Sequence, residues 1–312
     1  MEAVIAEDIV RRYATGRGID GVSLSVRAGQ CIGILGPNGS GKTTLTRLVA
    51  GLDKAGSGRL LVLGGPAYPR PRGLRRRCGV ALESPAHWDS LTGRQNLWFF
   101  ARQYGLPGSA LSGRVHELLR KAGLAGQADD SVATYSFGMR RKLSIIEAIA
   151  GDPDLLILDE PSAGADAAFL EQLIQWIRSR CEEGRTTWLA DNDPEWLARA
   201  ATCAVLLCDG RIQAQGEVRQ LTDSISSMQC VEVTLEQPCS EIPLELPQMA
   251  AVHTFSCEQN RVTAQVHGGT EAPVELLRWI TSRGARVRSM EVHAVTLYEA
   301  LMRQAGQREE QL

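Results

Sequence analysis

The octapeptide Gly36-Pro37-Asn38-Gly39-Ser40-Gly41-Lys42-Thr43 constrains this chain more than any other feature. It fits the pattern G-x-x-x-x-G-K-[ST] and has the context that pattern requires. An apolar run over 31–35 reads as a buried strand before it, and a helical pattern over 42–50 follows. The glycines let backbone N–H groups converge on phosphate oxygens without a Cβ in the way. Lys42 adds a point charge for the outer phosphates, the Thr43 hydroxyl can bind Mg²⁺, and the helix N-terminus contributes partial positive charge.

The surrounding sequence repeats the same alternation. Strands are expected at 21–26, 31–35, 60–63, 78–81, 155–158, 186–190 and 204–207. Helices are expected at 42–50, 95–104, 113–122, 138–150 and 169–181. Such alternation predicts an α/β layer with a mainly parallel sheet. After about Thr222 the texture changes to strands at 231–235, 261–266 and 286–292 with helices at 274–283 and 296–304, broken by Pro238, Pro243 and Pro247. The expected division is 1–222 and 223–312, the second part a small α+β unit.

Composition limits the partners. With 34 Lys+Arg against 36 Asp+Glu the net charge is −2, which argues against a general nucleic-acid binder. The apolar runs stop far short of a membrane span, and the acidic start Glu2–Asp8 lacks a basic leader, so a cytoplasmic chain is expected. The eight cysteines form no C-x-x-C pair and are read as buried hydrophobes without disulfide or metal chemistry. His253, His267 and His293 are read as surface or satisfied histidines, and the run Arg70–Arg77 as a solvated loop.

A second acidic element complements the phosphate loop. Leu155-Leu156-Ile157-Leu158-Asp159-Glu160 reads as a buried strand ending in two carboxylates, and ligands of open α/β sheets gather at that end. Asp159 is placed in the Mg²⁺ shell, and Glu160 is given the attacking water.

With these residues in view, roughly 1–220 resembles the nucleotide-binding subunit of ATP-binding-cassette (ABC) transporters. The family's signature, usually L-S-G-G-Q, is represented by Tyr135-Ser136-Phe137-Gly138-Met139, a form resembling exporter ATPases of the type-two branch for drugs and surface polysaccharides. The resemblance implies a parallel core with an antiparallel subsheet and a helical signature subdomain. It implies ATP and Mg²⁺ as cofactors, with Tyr13 stacked on adenine and residues Gly36, Pro37, Asn38, Gly39, Ser40, Gly41, Lys42, Thr43 and Thr44 around the phosphates. Mg²⁺ falls to Thr43, Glu83 and Asp159, and catalysis to Glu160, Asn192 and Glu83. Ser136 and Gly138 would reach the nucleotide of a second subunit, and Asp166, in a segment like the D-loop, would lie on the dimer seam. Leu91–Leu97 resembles the family's segment facing the membrane partner. The implied partners are a second ABC subunit, as homodimer or heterodimer, and transmembrane permease subunits that hold the chain at the inner membrane face.

Two departures bear on mechanism. Glu83 stands where the family has the Q-loop glutamine, and Asn192 where it has the switch histidine. Glu83 can still ligate Mg²⁺ but adds negative charge beside the phosphates. Asn192 keeps an amide donor without positive charge, and charge-assisted hydrogen bonds are roughly twice as strong as neutral ones. Losing a whole transition-state donor costs ~2.7–4 kcal/mol, so the expectation is a slowed but working ATPase. The alternative is an ATP-binding regulatory subunit with little hydrolysis beside an active paralogue. A soluble ABC ATPase of translation or DNA repair is disfavoured by the single cassette.

Overall fold

The structure is a computed structural model that describes residues 1–302 apart from 15, 85, 226–227, 240–250, 268 and 270. The chain forms two compact units, Met1–Val218 and a second beginning at Arg219.

The first unit opens with β1 (Glu2–Arg12), β2 (Gly18–Arg27) and β3 (Cys31–Leu35), then α1 (Lys42–Val49), β4 (Ser57–Val62), β5 (Gly65–Pro66) and α2 (Arg72–Arg76). It continues with β6 (Cys78–Ala81), α3 (Gly93–Gln103), α4 (Gly108–Lys121), α5 (Phe137–Ile149) and β7 (Leu155–Asp159). It closes with α6 (Ala167–Glu182), β8 (Thr186–Ala190), α7 (Pro194–Ala200), β9 (Cys203–Cys208) and β10 (Arg211–Glu217). One sheet has the order β10-β9-β3-β8-β7-β6, parallel except for β10 at its edge. A second, antiparallel sheet has the order β2-β1-β4-β5.

Strands β3, β7 and β8 are buried along their whole length, which is why they read as unbroken apolar runs. Helix α1 lies in the core shared by the two sheets: Leu45, Leu48 and Val49 pack in one cluster with Val4, Ile9, Val26, Ile34 and Trp188. Each such side chain contributes about 1.5–3 kcal/mol on burial. The buried Trp188 Nε1–H donates to Thr46 Oγ1 at 3.1 Å, which leaves that indole satisfied. Helix α1 is therefore held firmly where the phosphate loop ends.

Helices α3, α4 and α5 form a helical lobe over Leu97, Leu111, Leu118, Leu119 and Leu143. Thr92 and Gln95 make a capping box at the start of α3. Buried Asn96 spends its amide on the Trp88 and Thr92 carbonyls, each at 3.1 Å.

Helix α8 (Val218–Ile225) leads to β11 (Met228–Leu235), β12 (Val252–Glu258), β13 (Arg261–His267), α9 (Glu271–Ser282) and β14 (Val287–Ala294). These strands make an antiparallel sheet in the order β12-β13-β11-β14. Val231, Val233, Val262 and Ala264 cluster with Leu276 and Ile280 of α9. A short helix over 297–302 follows.

Several sequence expectations need correction. Strand β1 was not anticipated, because its apolar residues are interrupted by charges and its pairing slips register at Ala6–Ile9, spoiling a simple alternation. Also unanticipated were α7, α8, β10 and β12. The arginine run is not a uniformly solvated loop: Arg72–Arg76 is helical, and buried Arg70 donates to the Val49 carbonyl. Cys239 and Cys257 form a disulfide, contrary to the expectation of free thiols. Spacing rules missed it because the sheet makes the pair: the Cys239 N–H bonds Gln259 O in the β12–β13 turn, bringing residue 239 beside β12. Pro243, Pro247 and the end of the helix expected at 296–304 lie outside the described residues.

Candidate functional site

Strands β3 and β7 each run in the same direction as β8 and end at the same edge of the sheet. That edge therefore receives the loop after β3, the acids after β7 and the segment after β8. Gly36 is required by close approach: a Cβ there would lie 2.1 Å from Leu207 O on β9. The loop wraps Lys42, whose Nζ donates to Gly36 O at 2.7 Å and Pro37 O at 3.1 Å. Burial lowers the Lys42 pKa, while Glu160, Asp159 and Asp191 oppose that shift. Its ammonium is thus held in place at the mouth of α1.

An open cavity of about 550 Å³ lies at this edge. Its walls include Tyr13, Asn38, Gly39, Gly41, Lys42, Thr43, Thr44, Glu83, Glu160 and Asn192, ten of the residues singled out from sequence. Arg17 and Gly18 also line it and were missed, since they lie where the polar segment after β1 enters β2, without a recognisable pattern. Tyr13 is fixed by its hydroxyl, which donates to Asp53 Oδ2 at 3.2 Å, and by the Arg11 guanidinium 5.0 Å from its ring centre. Ser40 is buried, with no hydrogen-bond partner for its hydroxyl among the described residues.

Asp159, wholly buried at the end of β7, has no well-formed hydrogen bond to either carboxylate oxygen among the described residues. Burial drives its pKa up to about 6, the Thr43 hydroxyl pulls against that rise, and the charges of Glu160 and Glu83 add to it. An unpaired carboxylate beside a threonine hydroxyl, with Glu83 near, is an oxygen-rich donor set suited to a hard divalent cation. Mg²⁺ fits these residues.

Glu160 adopts a left-handed backbone, φ 51°, and its N–H is tied to Ala190 O at 2.6 Å. For a non-glycine residue this conformation costs roughly 1–2 kcal/mol, a strain that the ladder to β8 sustains. The side chain accepts a hydrogen bond from Asn192 Nδ2 at 2.8 Å, and the same amide lies 3.3 Å from Asn38 Oδ1. Asn192 therefore bridges the acid and the phosphate loop.

Two further residues were not assigned roles from sequence. Buried Arg141 on α5 donates to the Leu82 and Asp159 carbonyls, tying the ends of β6 and β7 to that helix. Burial lowers its pKa, and the carboxylates of Asp159, Asp191, Glu160 and Glu83 counter this. Buried Asp191 accepts from Ser162 Oγ at 2.7 Å, Ser162 N at 3.0 Å and Asp193 N at 3.0 Å, joining the segments after β7 and β8.

Ser136, Gly138 and Asp166 do not line this cavity. Ser136 caps α5 through Met139 N at 3.2 Å. A Cβ on Gly138 would lie 2.3 Å from Gly164 O, so α5 can start there only with glycine against that loop. Asp166 caps α6 through Phe169 N at 2.9 Å and pairs with Lys142.

Comparison with known proteins gives concordant results. Residues 19–163 match the family described as ABC transporter. The chain is 32% identical over 312 residues to the daunorubicin resistance ATP-binding protein DrrA2 of Streptomyces coeruleorubidus, covering 99% of this chain and 96% of that protein. It is 36% identical over 234 residues to the Nod factor export ATP-binding protein I of Cupriavidus metallidurans, covering 75% and 77%. Among solved structures, an ATP-binding subunit of an ABC transporter is similar at a TM-score of 0.66 and 25% identity, over 72% of this chain and 93% of that one. A dimeric ATP-binding cassette in a post-hydrolysis state with ADP and Pi has the same fold, at a TM-score of 0.63 and 22% identity over 69% and 99%.

Proposed function

Because the chain belongs to the ABC transporter family, as an ATP-binding subunit related to exporter ATPases, we propose that it is the Mg²⁺-dependent ATPase of a small-molecule exporter. The reading rests above all on one juxtaposition: Lys42, Thr43, Glu83, Glu160 and Asn192 surround one cavity at the end of a buried, cation-ready Asp159.

In this reading Tyr13 stacks on the adenine. The loop amides and Lys42 take the phosphates at the α1 N-terminus. Thr43, Asp159 and Glu83 would hold Mg²⁺, which when bound neutralises phosphate charge. Glu160 orients and deprotonates the attacking water. Asn192 aims Glu160 through its 2.8 Å hydrogen bond, and supplies only a neutral donor where the family uses histidine. The result is slow turnover rather than none. A second subunit closes the cage with Ser136 and Gly138, and Asp166 lies on that seam.

Coupling runs to a separately encoded permease. No helix among the described residues is long and apolar enough to cross a membrane. The helical lobe offers a suitable docking face. Trp88, Phe99, Phe100 and Tyr104 line an open groove of about 570 Å³ with Arg72, Arg75 and Arg76 at its side. Trp88 and Phe99 stand edge to face at 4.4 Å and are exposed. Such an aromatic, cationic groove suits a cytoplasmic helix of a membrane partner, which would hold the subunit on the inner membrane face.

The test is Mg-ATP turnover by the chain reconstituted with its permease. Glu160→Gln should lower turnover by about 10²–10³ while calorimetric ATP binding persists. Turnover equal in both proteins, or no ATP binding by either, would overturn the reading.

A further inference from the structure

On the C-terminal sheet the strand register places Cys230 directly opposite His293. Residues 231, 233 and 235 of β11 face the core under α9, so Cys230 and Glu232 point to the other face. The turn after β14 brings Glu299 over that face. A ligand atom from each of Cys230, His293 and Glu299 lies within 4.8 Å of the others.

We propose that Cys230, His293 and Glu299 form a site for a borderline-soft divalent cation of the Zn²⁺ class, outside the nucleotide cavity. The donor set is one thiolate, one imidazole and one carboxylate, which suits Zn²⁺ and disfavours Mg²⁺ or Ca²⁺. Thiolate and carboxylate together balance a divalent charge, so the complex is neutral. That matters because Cys230 is 1% exposed, and a buried net charge would be costly.

Supporting contacts hold the ligands. Glu299 Oε2 accepts from Thr296 N at 2.6 Å and Thr296 Oγ1 at 2.9 Å, fixing the carboxylate as half of a capping box. His293 Nδ1 lies 3.1 Å from the Ala294 carbonyl. With its proton there, Nε2 offers the lone pair. Glu232 Oε1, 4.0 Å from that nitrogen, is a neighbouring carboxylate that also pairs with Arg261. His293 is exposed, giving an ion an entry path, and a solvent molecule would complete a tetrahedron.

In the metal-free protein the Cys230 thiol hydrogen-bonds Glu299, and burial together with that carboxylate pushes its pKa up to about 12. Uptake of the cation breaks the S–H bond, forms the metal–sulfur bond and releases that proton to solvent, with no change of oxidation state. The cation would then tie β11, β14 and the start of the 297–302 helix together.

The experiment uses the full chain, stripped with chelator, without nucleotide and with Mg²⁺ in excess to occupy oxygen sites. Zn²⁺ uptake is measured by equilibrium dialysis, and Co²⁺ is added as a spectroscopic probe. One tightly held Zn²⁺ per chain and a thiolate-to-Co²⁺ absorption band are expected. Cys230→Ser should abolish the band. His293→Gln, at an exposed position that does not threaten folding, should weaken Zn²⁺ binding at least about tenfold. Uptake unchanged in His293→Gln would assign the ion to scattered thiols and overturn the proposal. So would the absence of a band in the unmutated chain.

Discussion

The buried carboxylate of Asp159 makes a stability prediction that runs opposite to its role. Its folded pKa of about 6 stands above the 3.8 of a solvated aspartate, so its ionised form is disfavoured in the native state. The group therefore lowers stability above pH 6, and the penalty is relieved as pH falls through 6 towards 3.8. At 1.36 kcal/mol per unit, the penalty is about 3 kcal/mol at pH 7 and about 1.6 kcal/mol at pH 5. Asp159→Asn removes the charge while keeping the shape. The amide's own unmet hydrogen bonds offset part of the gain by an amount that does not vary with pH. Without Mg²⁺ or nucleotide, the variant's stability relative to the unmutated chain should thus fall by about 1.3 kcal/mol between pH 7 and pH 5. Urea unfolding of both proteins at the two pH values measures this difference, and contributions from groups that do not interact with Asp159 cancel. Adding Mg-ATP should close most of the gap at pH 7, since a ligand at 100 times its Kd contributes about 2.7 kcal/mol and the variant, short of one metal-binding carboxylate, gains less. A stability difference independent of pH would refute the reasoning, because it would mean Asp159 carries no burial penalty.

Asn192→His should raise turnover about five- to tenfold by restoring a charge-assisted donor, whereas Asn192→Ala should lower it by releasing Glu160; steady-state kcat separates the two. The His87 side chain is buried, with Nδ1 3.3 Å from Glu147 Oε2 and Nε2 3.0 Å from Arg140 O. Burial opposes its charge, yet Glu147 and the Arg140 carbonyl raise its pKa overall, while burial raises that of Glu147. The stability from raised pKa values is complete below the unfolded values and is lost as pH rises through the folded ones. Unfolding midpoints of the unmutated chain should therefore fall as pH climbs above 6.5, and His87→Leu should flatten that slope. Leu276→Ala in the C-terminal core should cost about 2–5 kcal/mol, seen as lost hydrogen-exchange protection in β11 and β13.

What the sequence determined is what depends on neighbours along the chain. The loop 36–43, its strand and helix, the acidic end of β7 and the signature at 135–139 are local: turn geometry, apolar runs and short motifs need only a few consecutive residues. They sufficed for the family and for most residues of the cavity, including the odd Glu83 and Asn192. Tertiary structure alone decided what those residues do to one another. Only the parallel register of β7 with β8 turns the Asn192 amide onto Glu160. Only the crossing of α5 beneath the sheet edge sets Arg141 against the Asp159 carbonyl. The pairing of Cys230 with His293 needs β11 and β14, distant in sequence, to lie side by side, and that of Cys239 with Cys257 needs the segment after β11 to return to the β12–β13 turn. Such contacts are fixed by the packing of whole elements, which leaves no periodic trace at the positions that meet.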